Sequence, residues 1–288
     1  MTGRRKGEWI ELTLPGDVCA WEEVHAVLPV PLKLWRKLER EGGIRRQGKK
    51  VLLKVFPDEP SSPVPGEWTD LQVLFEDDYL LVVNKSAGMA VHPSEPGQRG
   101  TLANAVAGYY ESTGQSCGVR HIHRLDQDTS GAVLYAKYEL SHLLLDEAMR
   151  EKAIGRIYAA VCGGLPAPPA GTISAPIGKD RHHRARRRVS PGGDAAVTHY
   201  RTVESFRDAA LLELRLETGR THQIRVHLSH IGHPLLGDGL YGGRMNAFGR
   251  QALHGARLLF RHPVTGEELA VDAPYPDDFR ELLGALNA

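Results

Sequence analysis

The chain has 288 residues, enough for one large domain or for a medium domain with a small appendage. Its 41% hydrophobic and 25% charged content fit a globular protein, and its net charge of +1 means that any contact with nucleic acid must rest on local basic patches. No apolar run approaches a membrane span, the N-terminus (MTGRRKGEWIEL) lacks the apolar core of a signal peptide, and Cys19, Cys117 and Cys162 form no CxxC motif; the pattern argues against membrane insertion, a disulfide framework and a zinc knuckle, and for a reducing cytoplasm.

Residues 1–56 read as a small N-terminal α/β unit. Residues 1–7 form a basic tail expected to lack order. Leu and Trp spaced three and four apart predict an amphipathic helix over residues 31–41, ended by Gly42-Gly43, and residues 44–55 predict a hairpin around Gln47-Gly48. Eight Lys or Arg against two Glu between Lys33 and Lys50 make this unit basic, which suits either a solvated helix face or an RNA surface. Residues 57–67 follow as a linker, with four prolines in the ten positions PDEPSSPVPG, expected to be extended and semi-rigid.

Residues 68–288 form the larger unit. Leu80 to Asn84 predicts a buried strand, residues 101–110 a helix, and residues 132–136 a short core strand after a Thr-Ser-Gly turn signal. A helix is expected over residues 139–151 and a strand over 156–161. Residues 163–198 read as loops, and within them positions 178–188 hold six Lys or Arg and one acid. Such a run is either a phosphate-contacting surface or a solvated loop, and Arg184, Arg186, Arg187 and Arg188 are its candidate contacts. Two strands are expected over 197–216 and a closing helix over 277–286.

The segment VRHIHRLDQDTSGAVLYAK, residues 119–137, concentrates the chemistry. A polar loop feeding a core strand is a rigid mounting for reactive side chains, and Asp126 is its leading candidate. By spacing alone, a carboxylate in Asp-x-Asp-Thr-Ser-Gly is as readily a turn-former bonded to its own backbone. Likewise, a strand tyrosine such as Tyr158 is by default a packing residue. The histidines at 121, 123, 222, 227, 230 and 233 lack the Cys, Asp or Glu that would complete a ligand set, and no metal is expected.

The string HRLDQDTSG, residues 123–131, resembles the HRLDxxTSG signature of the RluA-type pseudouridine synthases. The resemblance extends in order from about residue 70 to 276. It takes in Asn84-Lys85 and Val91-His92-Pro93, with Ser86 and Met89 departing from the usual residues. It continues through Arg156 and Tyr158 in a K-x-Y segment, TGRTHQIRVH at 218–227, and LLGDGLYGG at 235–243. The N-terminal unit resembles a degenerate form of the small alpha-L RNA-binding domain, without its usual opening helix before Pro29.

The resemblance implies an α+β pseudouridine synthase fold: a mixed, largely antiparallel bent sheet with flanking helices and a cleft across it, plus the small appendage. It implies isomerisation of specific uridines in structured RNA, ribosomal or transfer, without a cofactor. Asp126 would be the catalytic carboxylate, Tyr158 the residue stacking on the base, and Arg225 the cation that keeps Asp126 ionised against desolvation. Arg124 would enter the RNA helix to displace the target nucleotide, with His123, Arg220, His222 and Gln223 as further RNA contacts. A monomer with no obligate protein partner is expected. The competing readings are a non-catalytic RNA-binding module on the same fold and a glycosidase-like hydrolase pairing Asp126 with Asp128.

Overall fold

The computed structural model describes residues 3–14, 20–59, 64–244 and 248–287. A four-stranded antiparallel sheet occupies the N-terminal part, with β1 (Arg4–Lys6), β2 (Trp9–Thr13), β3 (Ile44–Gln47) and β4 (Lys50–Leu53) in the order β1-β2-β4-β3. Between β2 and β3 lie two helices, α1 (Trp21–Val27) and α2 (Leu32–Arg40). The second was expected. The first, before Pro29, was not expected: it is a seven-residue segment whose Ala20 N-cap N–H donates to Glu23 Oε2 at 3.3 Å, with only Val24 fully buried.

Residues 4–6 also depart from the expected tail. They pair with β2, and Arg5 donates to Asp78 Oδ1 at 2.6 Å and to the Tyr138 hydroxyl at 3.3 Å while lying over the Phe56 ring. A basic tripeptide carries no hydrophobic signal, so backbone pairing and one arginine order it without periodicity to reveal them. Phe56 packs edge-on against Tyr138, and Lys37 pairs with Glu139 at 2.5 Å, so the small unit is docked against the large one. The centre of the proline-rich stretch, residues 60–63, lies outside the described residues. Its flanks are tied down by a two-oxygen pairing of Arg120 with Glu59, at 2.7 and 2.6 Å, and by Asn104 donating to the Pro65 carbonyl at 2.9 Å.

The larger unit contains, in chain order, β5 (Val73–Glu76), β6 (Leu80–Lys85), α3 (Leu102–Ser112), β7 (Arg120–His121), β8 (Ser130–Ala136), α4 (Glu139–Arg150) and β9 (Gly155–Gly163). It continues with β10 (Ala170–Ser174), β11 (Ile177–Lys179), β12 (Arg187–Val189), β13 (Val197–Ser205), β14 (Ala209–Leu216), α5 (Gln223–His230), β15 (Leu253–Arg261), β16 (Glu268–Asp272) and α6 (Asp277–Asn287). One ten-stranded sheet runs β10-β13-β14-β9-β15-β8-β6-β5, with β16 on β15 and β7 on β8. Its pairings are antiparallel except β8 with β15, so the sheet is mixed and largely antiparallel as expected.

Strand β8 explains its own unbroken apolar run. Val133 and Tyr135 face one core with Leu81, Val83 and Val106, whereas Ala132, Leu134 and Ala136 face a second with Leu80, Val82, Leu258 and Phe260. A strand covered on both faces cannot alternate with polar residues. At its start, Gly131 has φ of +125°, and a Cβ there would overlap the Gly255 backbone of β15. The glycine of the Thr-Ser-Gly turn is what lets the two parallel strands close on each other. The region read as loop over 163–198 holds β10 at the sheet edge and the β11–β12 hairpin, strands of five and three residues that are too short and too polar to show a period.

Candidate active site

Asp126 sits in the turn that feeds β8. Its backbone carbonyl accepts from Thr129 N–H at 3.1 Å, so residues 126–129 do form the expected turn. The carboxylate takes no part in it: Oδ2 accepts from Arg225 Nη1 at 3.2 Å, and Oδ1 has no hydrogen-bond partner among the described residues. The loop is clamped from beneath by Lys85, at the end of β6, whose buried ammonium donates to the carbonyls of Ser86, Met89 and Gln127 at 2.8, 2.7 and 2.8 Å. Burial pushes the Lys85 pKa down to about 7, against the charges of Asp128 and Asp126, which raise it.

Arg225 projects from α5, whose entry turn is built by Gln223. That side chain is 3% exposed; it accepts from Thr218 Oγ1 and Arg220 N–H and donates to the Val197 carbonyl and Thr198 Oγ1. All of its capacity is used inside the protein. Gln223, expected as an RNA contact, fixes the turn on which Arg220, His222 and Arg225 are mounted. His222, just before the helix, adopts a left-handed conformation with φ of +58°.

Arg225 reaches Asp126 and has a second partner. Its two-pronged pairing is with Asp238, through Nε at 2.7 Å and Nη2 at 2.9 Å, and Asp126 receives only the remaining Nη1. Asp238 is 1% exposed. Burial works against the Arg225 charge, but Asp238 and then Asp126 hold it firmly protonated. Within the GDGLYGG segment, neither Asp238 nor Tyr241 had an expected role. Both belong to the site, and an acid and an aromatic in a glycine-rich turn were the available signal.

Tyr241 links three parts. The guanidinium of Arg225 lies 5.0 Å from its ring centre, its hydroxyl accepts from Arg187 N–H at 2.8 Å, and it lies 2.8 Å from His222 Nδ1. On the other side of the ring, His222 Nε2 lies 4.0 Å from Asp126 Oδ2. Burial lowers the His222 pKa, with Asp126 acting in the opposite direction.

Asp126, His222, Gln223 and Arg225 line an open cleft of about 860 Å³ that also contains Tyr158, His121, His123, Arg124, Arg150, Lys152, Arg156 and Arg220. Tyr158 is buried on β9, and burial raises the pKa of its hydroxyl. Arg124 is exposed at the cleft, and Arg220 is exposed with its Nε donating to the Ala195 carbonyl at 3.1 Å. Of the basic run, Arg186 stacks on Tyr241 at 5.6 Å and Arg187 bonds it through the backbone, while Arg184 and Arg188 are exposed on the β11–β12 hairpin. None of these four lines the cleft itself. Asp128 is exposed, with its carbonyl bonded to Arg250 at 3.1 Å.

A carboxylate held by an arginine, in a basic open cleft that also holds a tyrosine, suits chemistry on a base in RNA. The RNA pseudouridylate synthase family model matches residues 79–230. An uncharacterized RNA pseudouridine synthase of Bacillus subtilis, YhcT, is 49% identical over 241 residues, 83% of this chain and 80% of the relative. Ribosomal large subunit pseudouridine synthase D of Haemophilus influenzae is 42% identical over 232 residues, 76% of this chain and 71% of the relative. Among solved structures, human RNA pseudouridylate synthase domain containing 4 is 26% identical with a TM-score of 0.63, covering 75% of this chain and 93% of that one. The chain belongs to the RNA pseudouridylate synthase family; it is an RNA pseudouridine synthase, an isomerase. Among the described residues, no helix is long and apolar enough to cross a membrane.

Proposed function

We propose that Asp126 is the catalytic carboxylate and that the substrate uridine lies in ribosomal RNA. The observation that carries the first part is the division of labour on Arg225: Asp238 fixes the guanidinium, and Asp126 accepts one bond while keeping Oδ1 open to the cleft. The second part rests on relatives named as ribosomal large subunit pseudouridine synthases.

The isomerisation breaks the bond between ribose C1′ and uracil N1 and rejoins the ring through C5, whose proton is lost to water while N1 takes one up. No atom is gained and no electron is transferred. The site supplies an ionised carboxylate next to the sugar, a flat ring on which the turned base can rest, and donors for the charge that develops. In this reading Asp126 acts on the nucleoside, Tyr158 stacks on the uracil and Arg225 keeps Asp126 ionised within a desolvating cleft. Arg124, exposed at the rim, occupies the place of the extruded base, and that contact together with stacking on Tyr158 offsets an unstacking cost of a few kcal/mol. The hairpin carrying Arg184, Arg186, Arg187 and Arg188 and the basic N-terminal unit, residues 1–56, extend the RNA surface beyond the cleft. Residues 57–67 join that unit to the catalytic part, residues 68–288.

The test is tritium release from RNA labelled at uracil C5, with ribosomal and transfer RNA in separate reactions and wild type beside Asp126→Asn. Release by wild type alone, from ribosomal RNA, is expected. Equal release by both proteins would remove Asp126 from the mechanism, and release from transfer RNA alone would move the substrate.

A further inference from the structure

The cations of the cleft are not all neutralised. Lys152 pairs with Glu217 at 3.0 Å and Arg150 with Asp146 at 3.0 Å, and Arg225 is shared between Asp238 and Asp126. Arg156 differs from these. It lines the cleft and is 8% exposed, yet its side chain forms no hydrogen bond or ion pair with any described residue, and its Nε is buried without an acceptor. A buried N–H with no acceptor is costly, and Arg156 keeps this one at the wall of the cleft.

The same corner holds a second orphan. His123 is 6% exposed, and its Nε2 accepts the Leu134 amide at 3.3 Å. The neutral ring therefore carries its proton on Nδ1, which is buried without an acceptor. Burial, and after it the charge of Arg156, keeps His123 neutral, with its pKa pushed down to about 3. The third wall is Gly219, where a Cβ would stand 2.6 Å from Arg156 Nη1, so the glycine leaves the guanidinium its room.

We propose that this corner, Arg156 with the Nδ1–H of His123 beside it, is a phosphate subsite that holds one RNA phosphodiester next to the target nucleotide. Arg156 and Tyr158 lie two residues apart on the same face of β9, about 7 Å along the strand. A base resting on Tyr158 thus has its own backbone within reach of Arg156. A neutral acceptor such as a uracil carbonyl would satisfy a donor but leave the unpaired charge uncompensated, whereas a phosphodiester satisfies both. The inference rests on the cleft being where RNA binds. Arg156 is cast here as a positioning residue, one that need not touch the reacting atoms.

The test uses direct binding of a fluorescent oligouridylate and of its uncharged methylphosphonate analogue to wild type, Arg156→Met and Arg156→Lys over a range of salt. Arg156→Met is expected to weaken oligouridylate binding about tenfold or more and to lower the slope of log K against log salt by roughly 0.7, the value for one contact to a single-stranded phosphate. Arg156→Lys should keep most of the slope. The methylphosphonate analogue should cost wild type more affinity than it costs Arg156→Met. The melting temperature of Arg156→Met should equal or exceed that of wild type, because a buried, unsatisfied Nε–H has been removed. An unchanged salt slope, or an equal methylphosphonate penalty in both proteins, would overturn the subsite. So would a large fall in melting temperature, which would make Arg156 a structural residue. Binding is read without catalysis, so a failure of tritium release in wild type would count against the substrate or the Asp126 assignment and leave this measurement standing.

Discussion

Asp238 binds Arg225 through both Nε and Nη2, at 2.7 and 2.9 Å, and so determines which single N–H of that arginine reaches Asp126. The buried acid is thirteen residues from Arg225 in sequence, whereas Asp126 is ninety-nine away. Replacing Asp238 by Asn leaves a buried guanidinium short of a countercharge and free to turn fully toward Asp126. The expected result is a loss of stability of about 3 kcal/mol, read by urea unfolding, and a single-turnover rate down roughly a hundredfold. A variant with wild-type rate would show that the Asp238 pairing does not position Arg225 for the reaction.

Lys85 makes a second prediction, on pH. Its three carbonyl acceptors require all three N–H donors of the ammonium, and burial places its pKa at about 7. As pH rises through that value one donor is lost and the turn carrying Asp126 loosens. The single-turnover rate is expected to fall on the alkaline side with an apparent pKa near 7. Lys85→Met should be slower by about tenfold or more and flat from roughly pH 6 to 9. An alkaline limb that survives in the variant would assign it to another group.

Gly131 is tested by Ala. With φ of +125° and the Gly255 backbone in the way, a methyl group must part β8 from β15 at the base of the catalytic turn. A loss of stability of about 3 kcal/mol or more is expected in chemical denaturation. A change below about 0.5 kcal/mol, the range of surface substitutions, would mean that the two strands tolerate separation.

Stability should also decline in mild acid. His254 is buried between Ser130 Oγ and the Ala273 carbonyl, and burial pushes its pKa from 6.5 down to about 4. Because the folded value is the lower one, the unfolded chain takes up the proton first as pH falls. The contribution is fully present above about 6.5 and is lost progressively toward about 4, amounting to about 3 kcal/mol at the bottom of that window. Half-buried His121 and buried His123 shift in the same direction. His254→Gln should flatten the dependence of the urea midpoint on pH across this window, and an unaltered slope would place the acid sensitivity elsewhere.

Much of this protein is legible one segment at a time. The two-sided core strand after Thr129-Ser130-Gly131, the helices α2, α4 and α6, and the loop bearing Asp126 follow from apolar spacing and turn residues, because those patterns report which face of a segment meets the core. The motifs carried the family as well. The pairing of side chains was beyond reach. Nothing in the chain says that Asp126 spends only its backbone carbonyl on the turn, that Arg225 gives its two-pronged bond to Asp238, or that Gln223 is consumed inside the protein. Nor does it say that Arg156, one arginine among many, is buried without a partner. Sequence displays charge, but whether a charge is paired depends on strands far apart in the chain being brought together, and only the assembled sheet decides that.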